Sequence, residues 1–217
     1  MLATSNFRTK STNRGWAEES SVIHLPKPNY SGKLSLEEAL LRRRSVRSYE
    51  NEALQLSEVG QLLWAAQGIT SEDKKRTAPS AGALYPLKIY LANAHVEGLM
   101  AGVYQYDPVE HSLLKICEGD KRKQLSIAAL MQNSIRHCAA ALIFAADYRY
   151  VLKKYFEKGK RYVYMEAGHA AQNVFLQAVP LHIGTVTMGA FLDGPVKKIL
   201  QLPKKEEVLY LMPVGRI

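Results

Sequence analysis

Between Cys138 and Asp147 the chain runs Ala139-Ala140-Ala141-Leu142-Ile143-Phe144-Ala145-Ala146 without a polar residue, and this run restricts the fold more than any other stretch. Side chains of a strand point alternately to opposite faces, so a strand that is apolar at every position must be covered on both. The run is expected to be the central strand of a sheet. Its neighbours also read as strands: Leu87 to Ala92 alternates, and Val103-Tyr104-Gln105-Tyr106, the turn Asp107-Pro108 and Leu113 to Ile116 form a hairpin. Antiparallel pairing follows. His182 to Thr187 and Glu207 to Pro213 supply two more strands.

Helical patterns fill the gaps. Ser35-Leu36-Glu37-Glu38 has capping-box spacing and opens a helix with Leu36, Leu40 and Leu41 on a partial apolar stripe. Ser57 caps a second helix, closed by Gly68, in which Val59, Leu62, Leu63 and Ala66 share a face. Lys121 to Met131 is a third, Arg161 to Val179 is the longest, and Asp193 caps a short one from Gly194 to Leu200. Together these predict an α+β fold with a central, mostly antiparallel sheet flanked by helices. A chain of 217 residues suits one such domain, placed at 31–217, after a polar arm over 1–30 that carries Trp16 and closes with Pro26 and Pro28.

Charge and cysteine content narrow the function only a little. A net charge of +9 suits nucleic acid, an acidic membrane surface or an anionic ligand. No zinc-finger, RNA-recognition or basic-zipper spacing is present, so no nucleic-acid partner is expected. Cys117 and Cys138 are too few for a disulfide framework or a metal quartet, which points to reduced thiols, no metal and a cytoplasmic protein. Nor does any run approach the roughly 18 apolar residues of a membrane span.

The positive charge is concentrated at Arg42-Arg43-Arg44-Ser45-Val46-Arg47, directly after the helix that starts at Ser35. A helix end favours cations by itself, so a solvated basic end accounts for the first three arginines. Ser45 and Arg47 lie past that end, where alternate residues of an extended segment point the same way, and the cluster then offers an anion site. A second candidate is Pro79-Ser80-Ala81-Gly82-Ala83-Leu84-Tyr85-Pro86. Two prolines bracket small residues there, which exposes backbone N–H groups and lets a flat ligand approach the main chain, although a plain turn before a strand has the same composition. Ahead of it, Thr70 to Ala78, with Arg76, reads as a charged surface loop. Met188-Gly189-Ala190-Phe191 makes a tight passage after a strand. In the longest helix Ala167, Gly168, Ala170 and Ala171 permit close helix contact, with Glu166, His169, Gln172 and Asn173 as polar insertions. His169 is expected to be a hydrogen-bonded core or interface residue.

Taken in order, the Arg-Arg-Ser-x-Arg element at 43–47, Leu62-Leu63-Trp64-Ala65-Ala66-Gln67-Gly68, the proline-bracketed stretch at 79–86, Tyr164-x-Glu166-Ala167-Gly168-His169-Ala170-Ala171-Gln172-Asn173, the Gly189 passage and Pro213-Val214-Gly215 resemble the flavin-dependent nitroreductase superfamily, and within it the SagB-type dehydrogenases. The resemblance runs from about residue 25 to the C-terminus. It implies a homodimer that binds FMN at the subunit interface, with hydride entering and leaving at flavin N5. On the matching positions, Arg43 and Ser45, with Arg44 between them, would hold the FMN phosphate and Arg47 would face the N1/O2 edge. Pro79, Ser80, Ala81 and Gly82 would lie along the ring, and Met188-Gly189 would bring a backbone N–H to N5. The helix at 166–173 would be dimer core, and Arg216 a second phosphate contact. Many members carry Asn where this chain has Ala83, so one bond to the ring edge is lost or comes from backbone.

The resemblance leaves two activities open. A general reductase takes hydride from NAD(P)H and gives it to a quinone or nitro compound. A SagB-type enzyme instead oxidises azoline rings of a modified peptide, which calls for a side-chain base. Lys154-Tyr155 is the candidate pair, although Lys153-Lys154-Tyr155 also suits a solvated helix face. A non-catalytic flavin-binding protein is the third possibility, if Trp16 or the tyrosines 148, 150 and 155 cover the open face of the ring.

Overall fold

The computed structural model describes residues 22–217. In chain order the elements are β1 (Val22–His24), α1 (Leu36–Arg42), α2 (Leu56–Gln67), β2 (Leu87–Asn93), β3 (Gly102–Asp107), β4 (Ser112–Glu118), α3 (Arg122–Ala128), α4 (Asn133–His137), β5 (Ala140–Asp147), α5 (Arg149–Tyr155), α6 (Lys158–Ala178), β6 (Ile183–Thr185), α7 (Asp193–Ile199) and β7 (Glu206–Arg216). The strands form one sheet in the order β1-β4-β3-β2-β5-β7-β6, antiparallel at every step. The fold is α+β, as the strand and helix patterns predict.

β5 shows why its sequence is apolar throughout. Ala140, Leu142, Phe144 and Ala146 enter a core shared with α2 and α6, while Ala141, Ile143 and Ala145 enter a second core built with α3, α4 and α7. Every residue of the strand is buried. Helices thus cover both faces; α6 lies against α2, and its Ala167, Ala170 and Ala171 are buried in the same core. Those small residues serve packing inside the chain; of the group predicted for close helix contact, Gly168 alone has open space at its Cβ position.

Local chemistry decides where the elements begin and end. Ser35 Oγ accepts from the Glu38 N–H at 3.1 Å, as its spacing predicts. α2 starts before Ser57, because Gln55 and Glu58 form a reciprocal capping box in which the Gln55 N–H donates to Glu58 Oε2 at 2.9 Å. Gly68 closes α2 with ordinary φ, and glycine is needed there because a Cβ would strike the Trp64 indole. α7 has no side-chain cap; Asp193 lies in its first turn, where its carboxylate meets the positive end of the helix dipole. The helix predicted over 121–131 breaks after Ala128, where Leu130 and Met131 turn left-handed, and α4 follows as a separate turn.

The predicted arm is partly docked. β1 pairs with β4, Leu25 is buried, and Asn29 exchanges hydrogen bonds with Gln61 at 2.8 and 3.0 Å. Trp16 lies outside the described residues. Among those described, no helix is long and apolar enough to cross a membrane.

Candidate functional site

The arginines that follow α1 divide into two kinds. Arg42 pairs with Glu38 one turn back. Arg44 Nη1 donates to the carbonyls of Leu41 at 2.9 Å and Arg43 at 2.8 Å, so this guanidinium ties off the helix it ends. Arg43 lies over the Phe175 ring at 5.1 Å, and Arg47 stands beside Tyr49, whose hydroxyl burial pushes well above its ordinary pKa while the Arg47 charge partly offsets the rise. Among the described residues neither Arg43 nor Arg47 has a carboxylate partner.

The segment between them is stitched to β6. Ser45 bridges to Thr185 in parallel, and the Val46 N–H donates to the Thr185 carbonyl at 2.9 Å. Thr185 Oγ1 is buried without a hydrogen-bond partner among the described residues. Thr185 lines a cavity of about 280 Å³ together with Arg42, Arg44, Phe175 and His182; Arg43 and Arg47 are not in its wall. Arg216 differs from what the resemblance implies. Its Nη2 meets Glu58 at 2.8 Å, its Nε meets Glu52 at 3.1 Å, and its Nη1 donates to the Leu181 carbonyl at 2.8 Å. Two carboxylates and a carbonyl already satisfy the fork of this guanidinium, which clasps the end of β7 to the start of α2.

The proline-bracketed stretch folds as one 3-10 turn, Ala81–Ala83, with Gly82, Ala83 and Tyr85 all left-handed at φ of 63°, 53° and 46°. The Tyr85 N–H donates to Ser80 Oγ at 2.9 Å. Arg76 stacks on the Tyr85 ring at 4.6 Å and donates to Gln67 Oε1 at 2.7 Å, so it is a half-buried support for this loop and not part of a surface run. α5 presses against the loop from outside. A Cβ on Gly82 would stand 2.5 Å from Lys154 Nζ and 2.6 Å from Tyr155 Oη, side-chain ends that would have to shift, and its left-handed φ is what calls for glycine there. The other two tyrosines of the predicted shield are elsewhere: Tyr148 is buried edge-on against Tyr164, and Tyr150 lies exposed under Arg149.

Beneath the loop lies Glu166, 3% exposed, its Oε1 without a hydrogen-bond partner. Burial raises its carboxyl to about 7, with the Ser80 hydroxyl and the Arg76 charge holding the rise back. Glu166, Pro79, Ser80, Ala81, Tyr162 and His169 line a cavity of about 300 Å³. Gly189 belongs to another region. Met188 is buried and pairs with Leu211 through bonds of 2.9 and 3.0 Å, whereas Gly189 is exposed and a Cβ on it would meet nothing within 4 Å. It opens on a cavity of about 320 Å³ walled by Tyr164, Ala167, Phe191 and Tyr210.

α6 relates these regions. At 3.6 residues per turn, the positions facing the loop cavity (Tyr162, Met165, Glu166, His169) lie about half a turn from those facing Gly189 and Arg43 (Tyr164, Ala167, Phe175). A helix with its side chains is about 10 Å across. The structure therefore joins Pro79–Gly82 with Lys154, Tyr155 and Glu166, and separates that group from Arg43 and Gly189 by the thickness of α6. Glu166 is the residue that sequence reasoning read only as a polar insertion in a helix of the dimer core. Its signal was available, since 166 falls in phase with the buried positions 163, 167, 170 and 174 of the helix.

The nitroreductase family profile matches residues 40–216. A Methanocaldococcus jannaschii protein described as a nitroreductase, MJ1384, is 46% identical over 85% of this chain and 92% of its own length. The microcin B17-processing protein McbC of Escherichia coli is 26% identical over 60% of this chain and 50% of its own. Among solved structures, one from Anabaena variabilis described as a nitroreductase superposes with a TM-score of 0.81 at 31% identity, over 92% of this chain and 42% of that longer one. With the profile spanning the arginine cluster, the loop, α6 and the Gly189 passage together, the chain belongs to the nitroreductase family.

Proposed function

We propose that this protein is an FMN-dependent oxidoreductase, active as a homodimer, that takes hydride from NAD(P)H and delivers it to a small organic acceptor such as a quinone or a nitro compound. The observation that carries this is the pair of guanidinium groups, Arg43 and Arg47, which α1 does not use. They flank Ser45, whose backbone bridges to Thr185 of β6, and this set suits a phosphate followed by an electron-rich ring edge. Arg43, Ser45 and Thr185 would hold the phosphate and Arg47 the N1/O2 edge; Arg44 and Arg216, already committed, are left out. Pro79–Gly82 supplies a wall with no bulky side chain, and Gly189 an unobstructed backbone N–H. FMN, once bound, supplies the hydride-carrying centre, and the protein places it and tunes it.

The half-turn separation across α6 favours a site made from two chains, one giving the arginines and Gly189 and the other the loop. Exposed Leu36, Leu40, Leu41, Tyr164 and Met165 suit burial against a second copy. The purified protein is expected to be yellow, to elute as a dimer with one FMN per chain, and to oxidise NADH or NADPH in the presence of a nitro compound. A monomer retaining flavin would overturn the two-chain site, and a protein that takes up no FMN on reconstitution would overturn the cofactor.

The two arginines are expected to separate by experiment. Arg43→Ala removes a charge-assisted phosphate contact worth about 1.5–3 kcal/mol, so the Kd for FMN should weaken by at least about tenfold while the midpoint potential of the flavin-saturated protein stays near native. Arg47→Ala should lower that potential by tens of millivolts, because each ~1.4 kcal/mol lost from the reduced state alone moves a two-electron couple by about 30 mV. If both variants change affinity only, Arg47 is a second phosphate ligand.

One observation favours a second activity. Lys154 Nζ and Tyr155 Oη sit against Gly82, on the loop that would back the ring, where an azoline dehydrogenase making thiazoles or oxazoles needs a base. Lys154→Ala that abolishes oxidation of an azoline peptide while sparing nitro reduction would select this activity; equal loss or retention of both would discard it. A purified holoprotein that oxidises neither NADH nor NADPH and leaves the azoline peptide unchanged would instead mark a flavin-binding protein without turnover.

A further inference from the structure

We propose that Glu166 is a redox-linked proton acceptor, gaining a proton from solvent when a flavin held against Pro79–Gly82 is reduced and releasing it on reoxidation. The inference rests on the FMN assignment above and deepens it. Three features of the structure carry it. Glu166 lies directly beneath Ser80 and Ala81, it is buried, and one of its carboxyl oxygens has no partner. A buried carboxylate of purely structural use is normally paired, since an unpaired one is costly. Among the described residues no cation forms an ion pair with this one.

The charged and titratable groups around it are arranged to leave it that way. From the loop, Ser80 faces the carboxyl and Arg76 acts on it at a distance, its own guanidinium turned to Gln67 and the Tyr85 ring. Tyr106 and Asp107 of β3 act on Arg76. Lys154 and Tyr155 of α5 stand against Gly82, on the same loop. From α6 itself, Tyr162 and His169 share the cavity wall, and exposed His169 marks its way to solvent. With desolvation dominant, the carboxyl sits close to neutrality between its two forms, so a modest change in local charge moves its proton.

Reduction brings such a change. Hydride carries two electrons and one proton to the ring and leaves a negative charge near the loop. That charge tightens proton binding at Glu166, and by reciprocity the bound proton makes reduction easier. The balance is simple: one O–H bond forms on the carboxyl, the proton comes from water, and no electron passes through the side chain.

The decisive measurement is the pH dependence of the midpoint potential of FMN-loaded protein, wild type against Glu166→Gln. One extra proton per electron pair steepens the slope by about 30 mV for each tenfold change in proton activity. The wild type is expected to show that added slope above about pH 7, and Glu166→Gln to lack it with its Kd for FMN little changed. Equal slopes in both proteins overturn the inference and leave the FMN assignment standing; failure to bind FMN overturns that assignment, and this inference with it. Should Glu166→Gln not fold, reduced-minus-oxidised infrared difference spectra of the wild type at about pH 8, one unit above the carboxyl midpoint, decide the matter. A gained protonated-carboxyl band supports the coupling and its absence overturns it.

Discussion

Gly189→Val is expected to lower hydride turnover by about a hundredfold while leaving the thermal melt within a few degrees of native. Among the described residues nothing occupies the space beside Gly189, and its φ lies outside the left-handed region, so the new side chain meets no neighbour there and no backbone strain. An exposed substitution of this kind changes stability by less than about 0.5 kcal/mol. The same space is where the proposed ring and its hydride partner meet, and a displacement of about 1 Å at a reacting centre costs roughly two orders of magnitude in rate. Turnover with NADPH and a nitro acceptor, measured beside the melting curve, checks both halves. Native turnover would remove Gly189 from the site. A matching loss of stability would mean that the residue serves the fold.

The different parts of the molecule were legible to different degrees, and the reasons are physical. β5 could be read because burial on both faces leaves no polar position, and the hairpin of β3 and β4 because its turn residues are local. The cap of α2 was misread: Ser57 is the residue of preferred type, but Gln55 has the spacing to Glu58 that closes a capping box. The break after Ala128 depends on the αL conformations of Leu130 and Met131, which tertiary packing selects and side-chain type does not announce. At the site, spacing located the arginine cluster, yet it could not say which guanidinium groups are spare. Arg42 and Arg44 are consumed within one turn of their own helix, and Arg216 by Glu52 and Glu58, which lie 164 and 158 residues away. Lys154-Tyr155 reads as a charge run on a helix face, and only the fold sets it against Gly82.

Glu166→Gln in flavin-free protein is expected to gain about 3 kcal/mol of folding stability relative to wild type as pH rises from 4.5 to above 7. The sign follows from proton linkage. The unfolded chain holds this carboxyl at its ordinary 4.5 and the folded chain at about 7, so between these values the folded state binds more protons, and wild-type stability falls with increasing pH. Below the window both states are protonated and above it both are ionised, so the loss saturates at each end. Glutamine keeps the shape without titrating. Its amide adds a pair of N–H donors to a buried place, a cost of about 1–3 kcal/mol if they stay unpaired, but that offset is independent of pH and leaves the slope untouched. Other shifted groups do not confuse the result, since they are the same in both proteins. Asp147, held at about 2 chiefly by its hydrogen bonds to Arg149, contributes stability that is lost only as pH falls below the window. His111, lowered by burial, removes stability as pH falls, in both proteins alike, and cancels from the difference. Urea unfolding of the two proteins at matched pH values gives the comparison directly. A difference that stays flat between pH 4.5 and about 7 would mean that the folded protein holds Glu166 ionised with a partner, and the neutral buried carboxyl on which the proton coupling depends would be gone.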